Sequence, residues 1–263
     1  MSMTTPQPFT LSMLGGSVER RFNRLRDKVE LPWGTLAEME LPDELRAEAR
    51  AAWTQITYTE YRSAAGMNAV ADTMIAARAP LDLTAVASSF AADELSHAEM
   101  AARVVAELGG PEPMFTHGRD LTYKRPSSRL SPLLRTAEVV VRVFCVAEAF
   151  ALPMAQVSAK LAAEIPLIGA VLRRIAKDEA AHASFGWTFM DWACQSFTTR
   201  ALAHLRNAAQ ATIDVYRDLV EKRGDDQGAT LGWLSNHDFK AFGQRTLEND
   251  VCAPLRLRGI DVH

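Results

Sequence analysis

Two short segments, Asp93-Glu94-Leu95-Ser96-His97 and Asp178-Glu179-Ala180-Ala181-His182, share the pattern D-E-x-x-H. Both lie in runs with helical periodicity. A Glu and a His three positions apart then share one helix face, displaced by about 4.5 Å along the axis. At that offset a carboxylate and an imidazole can grip one metal ion together. A single E-x-x-H says little, because both residue types are common on helix surfaces. Two copies demand a fold that turns two helices toward each other, with further ligands supplied from elsewhere in the chain.

The rest of the sequence is read for that supply. A long helix is predicted from Leu41-Pro42-Asp43 to about Arg78, with Asp43 or its predecessor as the cap. Its apolar seam is Trp53, Thr57, Glu60, Ala64, Met67, Ala71, Met74, and Glu60 interrupts it. A second helix, capped by Asp82, runs to Leu108 and stops at Gly109-Gly110-Pro111. Its seam of Leu83, Ala87, Phe90, Ala101, Val104 and Leu108 is broken by Glu94 and His97. Ser131-Pro132 opens a third helix, where Val141, Cys145, Glu148 and Leu152 form the buried row. Pro153 predicts a kink or bulge one turn beyond Glu148. Ile165-Pro166 ends it, and a fourth helix to about Gln195 carries Ile168, Leu172, Ile175, Glu179, His182, Gly186, Phe189 and Ala193 on one side. A charge on an apolar stripe is costly unless something offsets it. Six such interruptions therefore call for a common cause.

Their heights agree. The midpoint of Glu60 and Glu94 falls at residue 77, beside the Ala79-Pro80 break. That of Glu148 and Glu179 falls at 163–164, beside Ile165-Pro166. In antiparallel helices joined by tight turns, residues equidistant from the turn are level. The 110–130 connection, rich in Gly, Pro and charge, reaches roughly 70 Å when extended, enough to cross a bundle end to end.

Collected, the stripes offer Glu60, Glu94, His97, Glu148, Glu179 and His182. This set resembles the ferritin-like di-iron carboxylate superfamily, and its D-E-x-x-H form is most similar to the oxygen-activating oxygenase and oxidase branch. The resemblance covers about residues 43–196. It implies an all-α fold: a ferritin-like four-helix bundle with a long crossover between helices two and three, plus additional N- and C-terminal helices. In domain terms, residues 1–40 are an extension with a short helix, 41–196 the di-metal bundle, and 197–263 further helices packed on it. It also implies two iron ions, with Fe/Mn or Mn/Mn pairs as alternatives, held by those six residues. No catalytic residue beyond the metal ligands is singled out. Asp93 and Asp178 are expected to accept from the free ring N–H of the histidine on the opposite motif. The implied activity is oxygenation or oxidation of a small organic substrate (hydroxylation, N-oxygenation or desaturation) with O₂ and an external electron donor. Ferroxidase or iron storage is the alternative, followed by a tRNA hydroxylase and a dimanganese catalase. Features of individual subfamilies are missing: Ala101, Leu152 and Ile175 stand where a tyrosine, a threonine and a histidine mark particular branches.

The charge chemistry stands beside the resemblance. Four carboxylates carry −4 and two divalent ions +4, so an apolar interior tolerates the cluster when metal is bound. Oxygen and imidazole donors suit iron and manganese, and no thiolate joins the stripe. A net charge of −3 gives no general basic field for nucleic acid or an anionic membrane, and no apolar run is long enough to span one. The first sixteen residues do not read as a secretory leader. Three cysteines without a CxxC (Cys145, Cys194, Cys252) read as reduced thiols, so a cytoplasmic location is expected. A homodimer is left open. Small residues near the ligands (Ala64, Ala101, Gly186) suggest an apolar pocket walled by Phe90, Phe144 and Phe150, with Tyr123 on a covering loop. His117, His204, His237, His263 and the Arg173-Arg174 pair read as surface residues. So does a basic amphipathic helix from Ser17 to about Glu30.

Overall fold

The computed structural model describes residues 5–25, 30–222 and 231–263. These residues are mostly helical. The short helix α1 (Gly16–Leu25) precedes two long ones, α2 (Asp43–Ala77) and α3 (Leu81–Glu107). A third rod is built from α4 (Pro132–Val140), a π-helical stretch (Val141–Glu148) and α5 (Ala149–Leu161). Then come α6 (Pro166–Ala193), α7 (Thr199–Glu221), α8 (Asn236–Thr246), a second π turn (Leu247–Cys252) and α9 (Ala253–Leu257). No helix among the described residues is long and apolar enough to cross a membrane. Gly224-Asp225-Asp226, which predicts a stop for a helix from about Thr198, and the end of the Ser17–Glu30 helix lie outside the described residues.

Chain directions follow from the contacts. The Thr136 hydroxyl donates to the Thr73 carbonyl at 2.9 Å, and Gly66 faces Val143. As numbers fall on α2 they rise on the third rod, so these two run antiparallel. Asp178 meets His97 while Phe185 meets Phe90, which makes α6 antiparallel to α3. Joined by Arg78–Pro80, α2 and α3 form a hairpin, as α5 and α6 do through residues 162–165. It follows that α3 and the third rod are parallel, and the chain must travel the length of the rods between them. It does so through residues 108–131. On the way Phe115–Thr116 (β2) pairs antiparallel with Gln7–Pro8 (β1).

The local signals mostly act as expected. Gly109 and Gly110 take positive φ after α3, a conformation free of side-chain strain only for glycine. Ser131 and Thr198 cap α4 and α7 by accepting from Leu134 and Ala201 N–H groups. For α2 the predecessor of Asp43, Pro42, holds the N-cap, one of the two expected places. For α3 Pro80 holds it instead of Asp82, whose Oδ1 accepts from the Leu83 N–H at 2.9 Å, and both aspartates sit inside the first turn. There they still face the positive end of the helix dipole. The irregularity expected near Pro153 lies earlier, in the π stretch that ends at Glu148, and α5 continues through the proline. Beyond residue 249, where the sequence predicts an irregular tail, the chain is instead helical to Leu257 and buries Leu255, Ile260 and Val262.

The core falls into two apolar clusters. One holds Met67, Phe90, Phe144, Phe185 and Phe189. The other holds Trp53, Ala101, Val104, Leu172 and Ile175. Along α2, α3 and α6 the chain passes from the first cluster to the second through Glu60, through Glu94 and His97, and through Glu179 and His182. A polar layer therefore separates two dry ones.

Candidate metal centre

That layer is where the six carboxylate and imidazole residues meet. Glu60, Glu94, His97 and Glu179 each offer a ligand atom within 4.8 Å of the others, and so do Glu94, Glu148, Glu179 and His182. Glu94 and Glu179 belong to both groups, so the structure brings together two adjacent ligand groups that share two carboxylates. His97 and His182 are fully buried, and Glu60 is the most open of the six at 16% exposure of its side chain.

Each imidazole is held by its outer nitrogen. His97 Nε2 lies 3.1 Å from Asp178 Oδ2, and His182 Nε2 lies 3.5 Å from Asp93 Oδ2. Each aspartate thus reaches the histidine of the opposite motif. The inner nitrogens turn toward the carboxylates. His97 Nδ1 is 3.4 Å from Glu60 Oε2 and 3.5 Å from Glu179 Oε1. His182 Nδ1 is 3.2 Å from Glu94 Oε1, 3.4 Å from Glu179 Oε2 and 3.7 Å from Glu148 Oε2.

Four of these inner atoms have no hydrogen-bond partner. Both Nδ1 atoms, Glu94 Oε1 and Glu179 Oε2 are buried and unsatisfied. Native interiors leave only a few such atoms scattered through a domain, and here four fall within one carboxylate–imidazole cluster. The spacings fit an ion instead: metal bonds of about 2.1 Å put neighbouring ligands about 3.0–3.4 Å apart. The donor set of oxygen and imidazole, with no sulfur in either group, suits a hard or borderline divalent ion. The residues present therefore fit a pair of such ions.

Without metal the layer holds protons. Burial raises Glu60 to about 7, against the opposing pull of His97. Burial, then the charge of Glu179, raises Glu148 to about 8. Glu179 is also buried but falls below the usual carboxylate range through the pull of Glu148 and of the two histidines, whose inner nitrogens lie 3.4–3.5 Å away. Glu148 and Glu179 therefore titrate as a coupled pair, one carboxyl raised and the other lowered. Burial alone would lower both histidines. Asp178, Glu179 and Glu60 reverse this for His97, and Asp93, Glu148, Glu179 and Glu94 do so for His182, so both are raised.

Several supporting residues were not apparent in the sequence. Arg174 is not on a solvated face: its side chain is 11% exposed, and Nε donates to Asp178 Oδ2 at 2.7 Å. Its signal was the i, i+4 spacing to Asp178. The Ser63 hydroxyl contacts Glu94 Oε2 and the Glu60 carbonyl, one turn along α2 from Glu60. His204 is not a simple surface residue either, since Nε2 bonds the buried Glu138 at 2.7 Å. Glu138 also pairs with Arg142 at 3.0 Å. That satisfied carboxylate lies outside the metal-type clusters.

The room expected above Gly186 is filled. A Cβ there would lie 2.6 Å from Phe144 Cβ and 3.2 Å from Cys145 Sγ. The glycine brings α6 onto the π stretch. Phe90, Phe144 and Phe185 pack edge to face at 5.0–5.5 Å, with Phe90 also 4.5 Å from the His182 ring. Cys145 is fully buried beside them, and burial pushes its thiol well up. Tyr123, from the crossover, lies against Gly66.

No family model matches this chain, and no curated protein or solved structure matches it either.

Proposed function

We propose that this chain is a ferritin-like, non-haem di-iron protein that uses O₂ to oxidise a small organic substrate by hydroxylation, N-oxygenation or desaturation. One observation carries the reading. Two histidines, each steadied by an aspartate, turn unpartnered nitrogens onto two unpartnered carboxylates shared between adjacent four-residue groups. The antiparallel rods with a long crossover support the bundle assignment.

In this reading Glu60 and His97 would hold one iron and Glu148 and His182 the other, with Glu94 and Glu179 common to both groups. A bound pair of ferrous ions would supply reducing equivalents to O₂, and an external donor would restore them. The protein residues set the conditions. Asp178, itself held by Arg174, fixes the His97 ring and keeps the inner nitrogen free for metal; Asp93 does the same for His182. Apolar layers on both sides of the centre keep bulk water away. Glu60, the most open of the six at 16% exposure of its side chain, is the one of them best placed to exchange protons with solvent.

The test is metal analysis of the purified chain, followed by the optical spectrum of the ferrous form on mixing with O₂. About two irons per chain, with loss of at least one in Glu94→Ala and in Glu179→Ala, are expected. Full metal content in both variants would sink the assignment. Growth of a soluble iron mineral on exposure to excess ferrous ion in air would replace the oxygenase reading with iron storage.

A further inference from the structure

Two indoles in the second apolar cluster carry N–H groups that nothing answers. Trp53 is fully buried and Trp233 partly so, and their rings meet edge to face at 5.9 Å. Both Nε1 atoms are buried, and neither has a hydrogen-bond partner. An indole N–H can only donate, so what each lacks is an acceptor. A metal ion cannot fill that role, because the nitrogen has no lone pair to offer it. Trp233 is set in place by the residue before it. Gly232 takes φ +95°, and a Cβ there would lie 3.0 Å from Leu172 Cδ1 and 3.1 Å from Ala162 Cβ. The segment thus lies tight on the α5–α6 hairpin and brings Trp233 onto Trp53.

The position of Trp53 in the bundle gives these donors a use. Trp53 and Ala101 are equidistant from residue 77, and Leu152 and Ile175 from 163–164, so the four share one layer of the rods. Ala101, Leu152 and Ile175 stand one turn from His97, Glu148 and Glu179, and Trp53 stands two turns from Glu60. The layer is therefore about 6–10 Å from the ligand residues. Trp53, Ala101 and Ile175 are buried. Leu152, on the inward row of α5, is only partly buried, and among the described residues it packs on neither apolar cluster. The third rod thus leaves room at a level that the other three helices fill. None of the four side chains is charged, so an anion placed here would have no counter-ion. A neutral oxygen acceptor costs little once it is hydrogen-bonded. A carbonyl oxygen has two lone pairs, one for each indole.

We propose that this layer holds the far end of the organic substrate, a neutral carbonyl whose oxygen accepts from the N–H groups of Trp53 and Trp233. The substrate class is then a largely apolar ketone, aldehyde, ester or amide, with its carbonyl about 6–10 Å from the atom that is oxidised. The proposal rests on the reading of the centre as an oxidant of organic molecules. It is tested by heat of binding, not by turnover, and metal analysis judges that reading separately. The probes are para-ethylacetophenone and para-diethylbenzene, which differ only in C=O against CH₂ at one position. Isothermal titration of the full metal-loaded chain is expected to show the ketone binding to the wild type. Trp53→Phe keeps an aromatic ring and removes the donor. It is expected to weaken the ketone at least about tenfold relative to the hydrocarbon, with metal content unchanged. Trp233→Phe, outside the rods, is expected to act in the same direction and decides the matter if Trp53→Phe fails to fold. A wild type that does not bind the ketone, or equal changes for the two probes, would overturn the proposal. So would a ketone affinity untouched in both variants, which would leave the two N–H groups to a buried water.

Discussion

At the scale of single residues, buried carboxylates in this chain meet two fates. Glu138 is paired with Arg142 and His204, so its charge is answered by protein alone. Glu94 and Glu179 have oxygens that meet no donor, and the cations near them are histidines whose own inner nitrogens are unpartnered. The sequence could not separate these cases, because Glu138 lies on much the same helical row as Glu148. What distinguished the ligand candidates was the histidine three places on, or the matching height. Asp178 offers the sharpest single-residue test. Asp178→Asn keeps the shape but offers a weaker acceptor to His97, and is expected to reduce metal affinity about 10–100-fold. Competition with a chelator of known affinity measures it; wild-type affinity would show that Asp178 does not orient the ring. A second expectation concerns Cys145, whose fully buried thiol is pushed up by burial. It should resist alkylation in the native protein while half-exposed Cys194 reacts, and react only after unfolding. Peptide mass mapping after a timed pulse of iodoacetamide distinguishes the two.

At the scale of elements, the hairpins were legible because apolar residues recur at helical spacing and proline or glycine marks each turn. The π stretch was not. An added residue in one turn changes which side chains face inward without leaving a signature in composition, and Pro153 drew attention too far along the chain. Gly186 shows the same limit from the opposite side: a small residue near a site reads equally as space for a ligand or as room for a neighbouring helix. Here it is the second, because Phe144 occupies the position a Cβ would take. Gly186→Ala should force α6 away from the π stretch and destabilise the fold by about 1–3 kcal/mol. Gly66→Ala provides the contrast. Its Cβ would meet a Val143 methyl at 3.2 Å and the Tyr123 ring at 3.6 Å, side chains that can shift slightly. Urea unfolding of the two variants checks the difference, and equal stability losses would show that the close approach at Gly186 is not limiting.

Across the whole molecule, the polar layer between two apolar clusters couples fold, protons and metal. Glu60 and Glu148 have pKa values of about 7 and about 8, well above the ordinary carboxylate range, so the folded metal-free chain holds protons that the unfolded chain has already released. The raised histidines act in the same direction at higher pH. Stability follows the difference in bound protons between unfolded and folded states, so the metal-free form should lose stability as pH rises through this range. The lowered Asp178 and Glu179 work oppositely, but only as pH falls below the usual carboxylate range, outside this window. Metal binding reverses the trend, because ions displace these protons and are bound more tightly as the groups ionise. Tighter binding to the folded state alone raises its stability by mass action. The gap in melting temperature between metal-loaded and chelated protein should therefore widen from about pH 6 to about pH 8. Paired calorimetric scans under anaerobic conditions, with ferrous or manganous ion in excess or with chelator, measure it directly. A gap that stays constant or narrows would mean that the buried carboxylates and histidines are not the groups that metal discharges.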